Sequence, residues 1–317
     1  MMQKKILVTG ATGFIGKALI TSLIDSDYLV TIVAKEPVIK SDSYEIITAD
    51  LLGDLNYREL VRGFDCVIHL AAELWDPDIM SAVNALATDK LSSAAEIENI
   101  KLFIYASTVG VYGHPEVSRV TEETPTIDDK PGLNQFLSDD FLYDYSISKL
   151  SGERALLKNL KKTNGIILRF SNVISDDKFS EIIEWNFLKR LWRAHRRTHH
   201  IYITDAVASF NFFIERQNYF ENSFSGVDIF NVTNDNRPDK NFKNLFKIYG
   251  VTNSKIMYKY QFSLPPILDF IKDRIKYKTL SNSLPAGLVD YSPYKLLNEG
   301  FNYKTGIHNA YREYFKK

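Results

Sequence analysis

The residues Lys5-Ile6-Leu7-Val8-Thr9 run without polar alternation into Gly10-Ala11-Thr12-Gly13-Phe14-Ile15-Gly16. An unbroken aliphatic and β-branched run reads as a strand covered on both faces. Three glycines, each three residues from the next, then lead into a helix that carries Ile15, Leu19 and Leu23 on one side. Buried strand, glycine turn and amphipathic helix together open a βαβ unit, and they point the chain toward a parallel sheet wound with helices on both faces. Glycine in such a turn permits a tight bend and the close approach of a pyrophosphate, which the free N–H groups of the helix N-terminus attract. The spacing is GxxGxxG, where the more familiar dinucleotide turn has GxGxxG.

The pattern predicts further strands over 29–33, 45–48, 66–70, 102–106 and 165–170, and a long helical stretch over 79–97. The fold class expected is therefore α/β, a doubly wound Rossmann-type sheet with a smaller C-terminal lobe. The prolines and acids of 113–140 predict a long surface loop. Beyond 172 the expectations are a helix over 179–194, a strand near 201, a helix to 216, a strand over 227–232 and a last helix over 303–314. The domain expectation is a dinucleotide-binding part over 1–172, with returning segments at 201–235. The segments 173–200 and 236–317 form the lobe.

Lys plus Arg and Asp plus Glu each number 39 in the 317 residues, so no global charge draws the chain to nucleic acid or an anionic membrane. Cys66 is the single cysteine, which excludes an intrachain disulfide and a four-thiolate zinc site. No run approaches the roughly 20 apolar residues that span a bilayer. Residues 1–10 hold no apolar stretch long enough for a signal peptide. These readings lead to the expectation of a soluble, cytoplasmic protein without a metal.

Tyr145 and Lys149 are four residues apart and share a helix face if that segment is helical. An ammonium beside a phenol favours the phenolate and brings the tyrosine toward acid–base work. The same YxxxK spacing recurs at Tyr291 and Lys295, with Pro293 inside it, so the bare pattern is cheap.

From TGATGFIG onward the chain resembles the extended short-chain dehydrogenase/reductase family, which holds nucleotide-sugar epimerases and dehydratases. The resemblance rests on Asp50-Leu51, on His69-Leu70-Ala71-Ala72, on Asn84, on Ser107-Thr108-Val109-Gly110-Val111-Tyr112-Gly113 and on Tyr145-Ser146-Ile147-Ser148-Lys149. It continues in Leu168-Arg169-Phe170-Ser171-Asn172, Tyr202-Ile203-Thr204-Asp205 and Phe230-Asn231-Val232. The resemblance implies Thr108, Tyr145 and Lys149 as the catalytic trio, with Thr108 and Asn172 on the substrate. It implies Gly10, Thr12, Gly13, Phe14, Ile15, Gly16, Asp50, Leu51, Leu70, Ala71, Ala72, Asn84, Tyr145, Lys149 and Phe170 around an NAD or NADP cofactor. Lys35, at the end of the second strand, leans the choice toward NADP, because it stands where a 2′-phosphate would lie. The implied partner is a small nucleotide-linked sugar, and relatives commonly form homodimers through the helices near 79–97 and 141–160.

The match also fails in places. Dehydratases of this family carry an acidic pair after the threonine, where this chain has Val109 and Gly110. Thr198 replaces an arginine of the family pattern, and the C-terminal arginine that clamps substrate phosphate has no counterpart, leaving Arg196, Arg197 and Arg274 as substitutes. The basic run from Lys189 to Arg197 reads as a solvated face, a phosphate flap or a nucleic-acid patch, in that order. Three functions stay open: a 4-epimerase, a one-way NADPH ketoreductase, and a non-catalytic nucleotide-binding sensor or scaffold.

Overall fold

In the computed structural model β1 (Lys5–Thr9) is buried from Ile6 onward and lies inside a seven-stranded parallel sheet. The structure describes residues 3–37, 41–127, 141–216, 226–234, 240–250, 265–277 and 283–316. The other strands of the sheet are β2 (Leu29–Ala34), β3 (Glu45–Thr48), β4 (Cys66–His69), β5 (Leu102–Thr108), β7 (Asn164–Phe170) and β10 (Val227–Val232). Their order is β10-β7-β5-β4-β1-β2-β3, which reverses direction between β1 and β4. In open α/β sheets such a reversal leaves a crevice beyond the carboxyl ends of the two strands, and ligands bind there. Thr9 is level with His69, and His69 with Tyr105, so β5 runs on past that level to Thr108.

The helices that cover this sheet are α1 (Phe14–Asp25), α2 (Tyr57–Val61), α3 (Pro77–Ser81), α4 (Ala87–Ile97), α5 (Phe141–Asn159) and α8 (Ile203–Glu215). Leu7, Val67, Phe103 and Ile167 from the strands pack with Leu91 and Ala95 of α4 and Leu156 of α5. Burying each large aliphatic or aromatic side chain contributes about 1.5–3 kcal/mol, and covering both faces explains why the strands show no alternation. A π-helical turn, Ala82–Leu86, separates α3 from α4.

The chain divides into two compact units, 1–111 with 140–169 and 207–230, and 112–139 with 170–206 and 231–317. The second unit carries two small parallel pairs, β6 (Arg119–Val120) with β11 (Asp290–Tyr291) and β8 (Asn172–Ile174) with β9 (His200–Tyr202). The strand expected near 201 thus pairs with β8 and not with the main sheet. The helix expected over 179–194 is two helices, α6 (Asp176–Glu184) and α7 (Phe187–Arg193), because Asn186 restarts the chain by accepting the Lys189 N–H. The last helix starts at Ile307 rather than 303. Gly306 precedes it with φ +74°, a conformation open to glycine, and the buried Asp205 carboxylate accepts the N–H groups of Thr305 and Gly306. The loop expected over 113–140 contains β6, and its part from 128 to 140 lies outside the described residues. No helix among the described residues is long and apolar enough to cross a membrane.

Candidate active site

The turn after β1 leaves no room for side chains. Gly10 has φ +72°, and a Cβ on it would lie 2.4 Å from the Ala71 nitrogen in the loop after β4. A Cβ on Gly16 would lie 2.3 Å from the Gly10 carbonyl oxygen. Thr12, Gly13 and Phe14 are exposed at the mouth of this turn. The N-cap of α1 is Gly13, no side chain caps the helix, and its first turn holds no acid. Backbone N–H groups and the positive end of the helix dipole are therefore left facing outward beside a surface made only of backbone. Those residues fit a dinucleotide pyrophosphate.

At the end of β2 the Lys35 ammonium is 3.0 Å from Asp50 Oδ2, and Asp50 Oδ1 accepts the Leu52 N–H. Both contacts hold the Asp50 carboxyl below its usual range, the backbone bond most. Glu36 and Glu73 add further negative charge near Lys35. The cation that the sequence offers to a 2′-phosphate is thus already bound to an acid, with two more acids around it. Leu70, Ala71 and Ala72 follow β4 and are half-buried, as is Leu51, whose carbonyl accepts the Tyr57 hydroxyl.

Thr108 ends β5, and its hydroxyl oxygen accepts the Gly110 N–H at 3.0 Å, which leaves its own O–H to donate elsewhere. A Cβ on Gly110 would meet the Ser146 hydroxyl at 2.4 Å and Thr108 Oγ1 at 3.3 Å. Thr108 and the segment of α5 around Tyr145 are therefore neighbours. Tyr145 and Lys149 sit one turn apart on α5, as their spacing predicts. The expected lowering of the tyrosine pKa is reversed: burial pushes the Tyr145 phenol up to about 12. Burial also brings Lys149 down to about 7, so near neutrality it carries only part of its charge.

Asn84, expected at the cofactor, is fully buried in the π-turn. Its carboxamide accepts the Glu73 N–H and donates to the Glu73 carbonyl and to Ser148 Oγ, each within 2.8–2.9 Å. Ser148 in turn donates to the Tyr145 carbonyl. Asn84 thus ties the loop after β4 to the helix bearing Tyr145. Phe170, buried, and Asn172, exposed, belong to the second unit, at the end of β7 and the start of β8.

Three groups near the trio are absent from the expected site residues, although His69 and Arg169 lie within the family motifs. Glu153 and Arg169 form an ion pair at 2.6 Å with side chains 1% and 4% exposed, and Ser107 donates to the same carboxylate. His69, fully buried, lies between Thr9 Oγ1 at 2.6 Å and Thr88 Oγ1 at 2.9 Å. Thr88 donates its own proton to the Asn84 carbonyl, so Nε2 of His69 carries the ring proton and Nδ1 accepts from Thr9. Burial holds this imidazole neutral, with its pKa brought down to about 3. Tyr105 is the third, an aromatic in a strand run where aromatics are ordinary core residues.

A nucleotide turn at the sheet reversal, with Thr108, Tyr145 and Lys149 on the adjoining strand end and helix, agrees with the comparisons. The model of the NAD dependent epimerase/dehydratase family matches residues 6–216. The chain belongs to this family. Among curated relatives, UDP-arabinose 4-epimerase 1 of Arabidopsis thaliana is 28% identical over 198 residues, 54% of this chain and 43% of that protein. A dTDP-glucose 4,6-dehydratase of Streptomyces griseus is 29% identical over 218 residues, 62% of each. The chain thus spans less than two thirds of the length of these relatives. Among solved structures, WbmG of Bordetella bronchiseptica in complex with NAD superposes with a TM-score of 0.68 at 18% identity, covering 99% of this chain and 94% of that one. UDP-glucuronic acid 4-epimerase from Bacillus cereus in complex with NAD gives 0.64 at 18% identity, with coverages of 98% and 96%. Both show the same fold.

In this family member the basic run is solvated only in part: Lys189 and Arg193 are exposed, and the other cations are engaged by neighbours. Arg190 is buried and donates to the Trp185 and Ile183 carbonyls, and Lys189 and Arg193 lie over the Trp185 ring. Arg196 and His195 both bind the buried Asp269, and Arg197 shares Asp290 with Lys240. His199 faces the Ala286 carbonyl, and His195 the Asp269 carboxylate. No group of three or more metal-ligating side chains occurs among the described residues.

Proposed function

We propose that the chain is an NAD-dependent enzyme that inverts carbon 4 of a nucleotide-linked sugar, with Thr108, Tyr145 and Lys149 as its catalytic groups. The observation that favours epimerisation over 4,6-dehydration is the seat of Gly110. Any side chain there must displace the Ser146 hydroxyl, and Val109 beside it is apolar, so neither position after Thr108 supplies the acid a dehydratase needs. In this reading the turn from Gly10 to Gly16 holds the pyrophosphate, Asp50 and Leu51 the adenine end, and Leu70, Ala71, Ala72 and Phe170 the nicotinamide end. Bound NAD supplies a reversible hydride acceptor at the sugar carbon. Thr108 donates its free O–H to the sugar oxygen. Tyr145, once its own proton has passed to solvent, is the phenolate that takes the proton from that hydroxyl and later returns it to the same oxygen, and the Lys149 ammonium favours that phenolate. Asn172 contacts the sugar nucleotide.

NAD is favoured over NADP, against the lean drawn from Lys35. Lys35 is already paired with Asp50, and a 2′-phosphate beside it would meet the negative charge of Asp50, Glu36 and Glu73. Nucleotide released by denaturing the purified protein is expected to be NAD. A panel of UDP- and dTDP-sugars is expected to yield one pair of 4-epimers, with no net change in the nicotinamide absorbance band. Net oxidation of NADPH would replace this reading with the ketoreductase. An empty protein that binds neither nucleotide would remove both.

The two lobes expected for the domain organisation are carried forward with this reading, the second one holding the sugar nucleotide. A homodimer through α3, α4 and α5 is part of the same reading. Its support is an open groove of about 670 Å³ between these helices, lined by Leu86 and Ala155 and by both Asp78 and Arg154. Acids and bases on one surface can pair across a two-fold axis. Sedimentation equilibrium is expected to give twice the chain mass, and Leu86→Arg to give the chain mass.

A further inference from the structure

We propose that Tyr105 is a positioning residue for the catalytic lysine: its ring face cradles the Lys149 ammonium and keeps it charged. The inference rests on the reading of Lys149 as a catalytic group, and it deepens that reading.

Lys149 is 1% exposed. Burial drives a proton off an ammonium, because desolvation penalises only the charged form. Against this stands the Tyr105 ring, with Nζ 3.9 Å from the centroid. The negative face of an aromatic ring attracts a cation, and the attraction grows when both are desolvated.

The ring is held so that it cannot tip away. It stacks on His69 with centroids 5.6 Å apart and planes 23° from parallel. Its hydroxyl donates to the Asn84 carbonyl at 3.2 Å. Helix α5 passes so close that a Cβ on Gly152 would lie 2.3 Å from that hydroxyl. Two neighbours that carry Lys149 and Asn84 thereby fix the aromatic on which the ammonium rests.

The other titratable groups around Lys149 leave this role to the ring. Tyr145, one turn before it on α5, is a neutral phenol. Glu153, one turn after it, pulls the lysine pKa up, but Arg169 and Ser107 already engage that carboxylate. His69, on β4, is neutral, since both its nitrogens are bonded to threonines and burial opposes a second proton. A protonated His69 would repel the ammonium, so its neutrality is part of the arrangement. Tyr105 itself stays protonated, because burial and the negative charge of Glu153 push its phenol up.

The test reads the lysine directly. Protein carrying 13C-labelled lysine is titrated by NMR, following the Cε signal that moves near neutral pH and is lost in Lys149→Met. Tyr105→Phe keeps the ring and is expected to leave that titration in place. Pentafluorophenylalanine at position 105, of nearly the same shape with its ring face no longer negative, is expected to lower the pKa by about one unit relative to phenylalanine. At pH 7 that leaves about five-fold fewer charged lysines. The sign is downward because the ring stabilises only the protonated form. Because both variants keep an aromatic of similar volume, the comparison does not depend on the cavity that Tyr105→Leu would open. An unmoved titration with the fluorinated ring overturns the proposal. A lowered titration supports it, and the pH profile of turnover then tests the parent reading. If the alkaline limb moves down with the lysine, both stand. If the limb stays while the lysine moves, Tyr105 still holds the ammonium, but Lys149 is not a catalytic group.

Discussion

Tyr145→Phe is expected to lower turnover by about 10²–10⁴-fold, the usual contribution of a positioned acid–base group, while NAD binding stays within a few-fold of the parent. The substitution removes one oxygen and keeps the ring, so packing around α5 is retained. Burial keeps the parent phenol protonated, pushed up to about 12, so no buried charge is lost or left unpaired by the change. In the proposed reaction the phenolate forms only transiently, to receive the proton of the sugar hydroxyl, and the bare phenyl ring of the variant has no atom to receive it. Epimerisation of the best sugar of the panel followed by NMR, beside NADH binding followed by fluorescence, separates the two quantities. A variant that keeps more than a tenth of its turnover would show that another group moves the proton. Loss of nucleotide binding together with turnover would instead point to a damaged fold.

Arg169→Met is expected to cost about 3–5 kcal/mol of stability, the range found when one partner of a buried ion pair is removed. The pair joins β7 to α5 with almost no solvent contact, so the abandoned Glu153 carboxylate is left with the Ser107 hydroxyl and no opposing charge from that arginine. Breaking such a pair is far worse than never having had it, because desolvation of a lone charge is no longer offset. The double change Arg169→Met with Glu153→Gln is therefore expected to recover a large part of the loss. Urea denaturation of the three proteins measures this, and a single variant within about 1 kcal/mol of the parent would mean the carboxylate finds water or a proton cheaply. Because Glu153 and Lys149 share a helix face, the double variant also removes one charge that supports the lysine.

The parts of the fold that were legible are those where neighbours in sequence are neighbours in space. The run from Lys5 to Gly16 shows strand, turn and helix because their determinants lie within a dozen residues. Tyr145 and Lys149 fall on one helix face for the same reason. Helix breaks were less legible: Asn186 reads as an ordinary polar residue until its side-chain oxygen is seen capping the Lys189 N–H. Charges misled most. Lys35 reads as a free cation, and His195 and Arg196 as part of a solvated face, because nothing local reveals Asp50 or Asp269 as partners.

By itself, then, the sequence determined the alternation of strands and helices, the glycine turn and the order of the family motifs, all properties of short windows. Only the tertiary structure decided which distant side chains meet. The sheet order places Tyr105 of β5 beside Lys149 of α5 and His69 of β4, and brings Glu153 to Arg169. It also decided their charge states, since the lowered lysine and the raised tyrosine follow from burial, and burial belongs to the assembled core and not to any residue within it.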